Sequence, residues 1–197
     1  MVERISARPT KEQIKEKKPK KKKKKKEEDD NKTIIVNNIQ LPANETPEVR
    51  TINLYGDITE KKGAEVVGSL LFLQSTSHIE VLAETEESED PSPVIMARGI
   101  EMYISTHGGT ASDMFSIIDV MEAIKASTCD IDTIGIGKVM SAGVPILAAG
   151  TPGKRKIGKN CRVMLHSVMA GTGGTIFSME NELQEIKWVQ DSYIKCL

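Results

Sequence analysis

Residues 133–150, TIGIGKVMSAGVPILAAG, constrain this chain more than any other stretch. A short apolar run punctuated by glycines reads as a buried strand, and small, flexible residues at 138–143 then surround a single hydroxyl, Ser141. Residues 144–149 are apolar and short enough for a buried helix. A serine between a strand end and a helix start can be held exposed at the turn, while the N–H groups that open the helix point at a bound group. Such an address suits a nucleophile. The sequence Lys-Val-Met-Ser-Ala-Gly lacks the first glycine of the G-x-S-x-G elbow, so a serine that caps a helix is the plainer local reading.

The neighbouring segments say what this unit packs against. Residues 50–56 alternate as a first strand, and Thr59 is the expected N-cap of a helix over 60–74, with Ala64, Val67, Leu70, Leu71 and Leu73 on its apolar face. Residues 80–93 turn acidic, contain two prolines and read as an exposed loop. A second strand over 100–105 leads directly into Thr106-His107-Gly108-Gly109, where paired glycines suit either a tight turn or backbone N–H groups approaching an anion. An amphipathic helix over 113–125 presents Met114, Ile117, Ile118, Met121 and Ile124. Beyond Ser141 come a Gly/Lys-rich turn over 151–159, a strand over 161–165 ending at His166, and a flexible Gly-rich run over 171–174. The last helix, 176–197, carries a stripe of Phe177, Leu183, Ile186, Val189, Tyr193 and Ile194. Strand and helix alternate, which argues for an α/β domain with parallel crossovers.

Charge and cysteine content narrow the setting. The net charge of −1 conceals segregation, since ten of the 27 basic residues are lysines between positions 15 and 26. Residues 1–32 hold too little apolar surface to offset the entropy of ordering, so a disordered basic tail is expected, followed by an arm over 33–49 and a domain over 50–197. A solvated tail is favoured over attachment to nucleic acid, and no nucleic-acid partner is expected. No apolar run reaches the roughly 18 residues of a membrane span, and no apolar signal region follows the start. Cys129, Cys161 and Cys196 lack the paired spacing of a zinc site and read as reduced thiols, so a cytoplasmic location and no metal are expected.

Parallel strands deliver their carboxyl ends to one edge of a sheet, which brings the Gly-Gly turn, Ser141 and His166 within reach of one another. A histidine there can take the serine proton, and the N–H groups of Gly109 and Ala142 can hold an oxyanion. With YISTHGGTASDMFSIIDVMEAIK, GIGKVMSAGVPILAAGTPGKR and RVMLHSVMAGTGGT, the chain from about residue 50 to 197 resembles the Clp protease proteolytic subunit family of ATP-dependent serine peptidases. The resemblance implies a crotonase-like βαβ superhelix with a C-terminal handle helix. It implies Ser141 as nucleophile, His166 as general base, and Gly109 and Ala142 as oxyanion donors. Gly171, Thr172, Gly173 and Gly174 are implied to pair with bound peptide. Implied partners are copies of itself or sister subunits in heptameric rings, unfolded protein substrates, and a AAA+ unfoldase, which alone uses ATP; no cofactor is implied for this chain.

Three departures bear on activity. His107 stands where the family usually has proline, and Val139 or Met140 where a small residue approaches the nucleophile. The family's third triad residue, an aspartate well beyond the handle helix, has no counterpart, and Asp191 within that helix is a poor substitute. A domain truncated at its carboxyl end, with weak or no activity, is therefore expected. Two alternatives stand beside the peptidase: a non-catalytic subunit of a mixed ring, and an acyl-thioester-binding enzyme on the same fold in which Ser141 is incidental. The Ser141 to His166 interval argues against the last.

Overall fold

The computed structural model describes residues 39–40, 49–85 and 88–197. The expected tail over 1–32, and the arm over 33–49 apart from residues 39–40 and 49, lie outside the described residues. In chain order the elements are β1 (Ile39–Gln40), β2 (Thr51–Tyr55), α1 (Glu60–Ser75), β3 (His78–Thr85), β4 (Ser88–Ala97), β5 (Ile100–Thr106), α2 (Ala111–Ser127), β6 (Ile131–Met140), α3 (Gly143–Ala148), β7 (Arg155–Ile157), β8 (Arg162–Met164) and α4 (Ile176–Lys195).

A parallel sheet in the order β2-β5-β6-β7 carries the domain, with β8 also pairing with β6. Every one of its ladders is parallel, as strands joined by helical crossovers must be. The mixed α/β architecture, its parallel sheet and the C-terminal helix agree with the fold expected from the sequence. Strand β6 is long enough to hold two partners on one edge, β7 along Thr133–Gly135 and β8 along Lys138–Met140. The strand β7 lies within residues 151–159, which the sequence presented only as a turn. Its three residues are all exposed, so no burial pattern marks them out from the turn around them.

The core lies between this sheet and its helices. Leu54, Met102, Ile104, Ile131 and Val139 from the strands are fully buried, as are Met114, Ile117, Met121 and Ile124 from α2. Each contributes about 1.5–3 kcal/mol through burial, which makes the strand ends rigid supports for what projects beyond them. The α2 stripe is the one the sequence spacing indicates.

Helix α1 departs from expectation in phase. Thr59 caps it as expected, accepting from Lys62 N at 3.3 Å. The buried line, however, is Gly63, Val66, Leu70 and Leu73, while Ala64 and Leu71 are exposed. The reason is a close approach to α2: a Cβ on Gly63 would lie 3.3 Å from that of Asp113, which turns the glycine rather than Ala64 toward the neighbouring helix.

The acidic segment expected as a loop over 80–93 is instead an antiparallel hairpin of β3 and β4, in a second sheet of order β1-β3-β4. Backbone pairing between β3 and β4 holds this acidic segment extended. Pro91 and Pro93 are tolerated because β4 is an edge strand, where a missing N–H need not break a ladder.

Candidate active site

The long strand β6 does not run straight to its end. Its register with β5 slips between Ile104 and Thr106, from Ile104 opposite Gly135 to Thr106 opposite Val139, so β6 spends extra residues near its end. Such a bulge bends a strand and re-aims the residues after it. Ser141 follows at once with φ of 51°, the sole non-glycine positive φ among the described residues. A left-handed serine costs free energy and persists only where its surroundings hold it.

Those surroundings hold both backbone groups of Ser141. Its N–H donates to Met164 O at 2.8 Å, and its carbonyl accepts from Val144 N at 2.9 Å and from the Tyr193 hydroxyl at 3.2 Å. The first bond extends the β6–β8 ladder, in which Met140 faces Met164, by one step. Ser141 is one residue past that pair and His166 is two past it, so the pairing register itself carries serine and histidine off the same edge.

The turn after β5 closes against this elbow. Thr106, fully buried, accepts Gly108 N at 3.0 Å, and Gly108 O accepts Ile58 N at 2.9 Å. A Cβ on Gly108 would lie 2.6 Å from Ser141 Cβ and 3.0 Å from Ala142 N, and one on Gly109 would collide with the Ile58 backbone. With φ of 102° and 154° these positions favour glycine twice over, in conformation and in space. The close approach brings the Gly-Gly turn against Ala142, and Gly109 and Ala142 line the same cavity. Among the described residues neither backbone N–H donates to a protein acceptor.

His107, Gly109, Thr110, Ala111, Met114, Ser141, Ala142, His166, Val168, Met169 and Tyr193 line one cavity of about 440 Å³. Four of the residues expected from the sequence, Ser141, His166, Gly109 and Ala142, are therefore brought together. Gly171, Thr172, Gly173 and Gly174 are not in the lining; they form an exposed, irregular stretch leading to the Thr175 cap of α4. The lining also contains side chains that sequence reasoning did not assign to a site. Met114 was visible as core and Tyr193 as part of the α4 stripe, but nothing local marked either as facing a cavity.

Polarity within the cavity is specific. His166 Nδ1 lies 2.6 Å from Ser167 O. A carbonyl only accepts, so this bond places the proton on Nδ1 and leaves the Nε2 lone pair free, the tautomer a general base requires. Among the described residues Ser141 Oγ makes no hydrogen bond to His166, and no carboxylate forms an ion pair or hydrogen bond with the imidazole. At the mouth, His107 Nδ1 lies 3.7 Å from Asp57 Oδ1, with both side chains exposed. The Tyr193 hydroxyl is pushed above its ordinary pKa by burial and stays a donor through neutral pH. Among the described residues no group of three His, Cys, Asp or Glu is placed to hold a metal ion, and no helix is long and apolar enough to cross a membrane.

A strained serine, a histidine with a free Nε2 and two unpaired N–H donors around a partly apolar cavity can support acyl transfer. Residues 92–197, more than half of the chain, match the Clp protease family. That span holds the Gly-Gly turn, the Ser141 elbow, His166 and α4, and the chain belongs to the Clp protease family of peptidases.

Proposed function

We propose that this protein is a serine endopeptidase subunit of the Clp type. Ser141 Oγ attacks the scissile carbonyl, His166 Nε2 takes its proton, and the N–H groups of Gly109 and Ala142 receive the charge that develops on the carbonyl oxygen. His166 then returns the proton to the leaving amine, and water attacks the acyl-enzyme with the same histidine as base. The carrying observation is the left-handed Ser141, set by hydrogen bonds on the rim of a cavity that it shares with His166 and both donors. Val168 and Met169 give that cavity apolar surface for a substrate side chain, with buried Met114 behind them. Gly171 to Gly174 offer exposed backbone with which an extended peptide could pair.

Assembly belongs to the same proposal. The face of α4 exposes Ile176, Phe177, Met179, Leu183 and Trp188, a run of apolar surface that a monomer would leave wet. Copies or sister subunits stacked as rings would cover it and enclose the cavities in a chamber, fed with unfolded chains by an ATP-driven unfoldase. The site proposed here needs no cofactor of its own. A cytoplasmic location fits the free thiols of Cys129, Cys161 and Cys196.

One observation favours a second reading, a non-catalytic subunit of a mixed ring. No carboxylate orients His166 among the described residues, and loss of that partner costs an unrelated serine protease about 10⁴ in turnover. Hydrolysis of a fluorogenic peptide separates the two. The peptidase reading expects measurable turnover that Ser141→Ala and His166→Ala each abolish; assembled protein without turnover favours the non-catalytic subunit, and turnover untouched by either substitution would refute the Ser141/His166 assignment.

A further inference from the structure

Helix α4 is largely exposed, and of its twenty residues only Tyr193 is buried. Yet its last turns make two hydrogen bonds that reach across the molecule to the two halves of the proposed catalytic pair. The Tyr193 hydroxyl donates to the carbonyl of Ser141 itself, at 3.2 Å. One turn earlier, Gln190 Oε1 accepts the N–H of Val168, two residues past His166, at 2.7 Å. Gln190 and Tyr193 are three apart and so share a helix face. The helix is braced against α2 by an edge-on contact between Trp188 and Phe115, with ring centroids 6.0 Å apart.

The Tyr193 bond adds to the two backbone bonds that already hold Ser141, and the Gln190 bond acts on a segment that no ladder fixes. Ser141 holds a left-handed φ that its own residue type does not favour, and residues 165–170 have no regular structure and so lack a ladder to fix them. From the geometry we infer that Gln190 and Tyr193 are positioning residues: α4 clamps the serine-bearing elbow and the histidine-bearing segment from one rigid face, and so sets the spacing between Ser141 and His166. Neither residue performs a chemical step in this role. Tyr193 also lines the cavity, and its phenol, protonated at neutral pH, can donate there. Gln190 presents an acceptor to an N–H that cannot accept, so its carbonyl oxygen, not its amide nitrogen, makes the bond.

The inference rests on the Ser141/His166 reading, and the test separates the two. Full-length protein is treated with a fluorophosphonate, whose phosphorus Ser141 Oγ attacks with loss of fluoride, and the maximal inactivation rate and the half-saturating concentration are measured separately. Gln190→Met, of similar volume but without an acceptor, is expected to lower the maximal rate about ten-fold or more with little change in half-saturation, since misplacing reacting groups by about 1 Å can cost a hundred-fold. Gln190→Glu keeps an acceptor for Val168 N–H and should restore the rate to within about three-fold of the parent, which loss of packing alone would not explain. Tyr193→Phe removes only the hydroxyl and should slow the reaction about five-fold, the worth of one hydrogen bond.

Parent-like rates in both Gln190→Met and Tyr193→Phe, with unchanged melting temperatures, would overturn the clamp while leaving the serine reading intact. So would a Gln190→Glu variant as slow as Gln190→Met. If Gln190→Met fails to fold, Tyr193→Phe decides the matter alone. A parent protein that is not labelled at all overturns the serine reading first, and the clamp with it.

Discussion

Gly108 lies so close to Ser141 that a Cβ placed on it would fall 2.6 Å from the serine's own, nearer than two such atoms pack. The Gly-Gly turn and the serine elbow are thus fitted to one another through backbone, with no side chain between Gly108 and Ser141. Gly108→Ala should push the turn away from the elbow. Its φ of 102° adds strain of about 1–3 kcal/mol. Labelling of Ser141 is expected to slow about a hundred-fold and the melting temperature to fall, both read on the same preparation.

Thr106 supports this turn from below. Fully buried, its hydroxyl accepts Gly108 N at 3.0 Å. Thr106→Val keeps the shape and leaves that N–H unpaired, at a cost of about 1–3 kcal/mol. Urea titration should show the midpoint falling without a change in slope, and a midpoint that stays put would mean the turn finds another acceptor.

Arg50 performs a similar service away from the site. Its guanidinium reaches the carbonyls of Leu73 and Thr76 at the end of α1 and that of Gly99 before β5. It therefore ties helix to sheet while satisfying carbonyls that the helix end leaves open. Arg50→Met should destabilise by about 3 kcal/mol. Peptidase activity per folded molecule should be unchanged, since none of these contacts touches the cavity.

Much of this arrangement was legible in residues 133–150, because a buried strand, a lone hydroxyl among small residues and a short apolar helix follow one another with nothing between. The α2 stripe was equally legible, its five apolar residues recurring at helical spacing. Other features were not. The phase of α1 depends on Gly63 meeting Asp113, a tertiary contact that no local periodicity encodes, so Leu71 looked buried and is half-exposed. In the β3–β4 hairpin, acidic residues and prolines mask a strand that is permitted because it lies on an edge. The bonds from Gln190 and Tyr193 join residues 22 and 52 positions apart, and in the sequence they show only as part of an amphipathic stripe.

The raised thiols predict that stability depends on pH in the alkaline range. Burial pushes the thiols of Cys129, Cys161 and Cys196 above their ordinary values, and the neighbouring Arg50 offsets this only in part at Cys129. The folded state therefore holds these protons more tightly than the unfolded chain. Their contribution is complete below the unfolded thiol value of about 8.5 and is lost as pH rises through the folded ones. Urea midpoints should fall between pH 8 and 10, and Cys129→Ala should flatten the slope. A midpoint independent of pH across that range would show that the thiols are solvated.

Mass spectrometry after fluorophosphonate treatment tests the central claim most directly. The account expects a single adduct, mapped to Ser141, in the intact protein, and no adduct in either Ser141→Ala or His166→Ala at the same reagent concentration and time. An adduct on another residue, or labelling of Ser141 that persists undiminished in His166→Ala, would contradict it, because the serine would then be unactivated or activated by a different base.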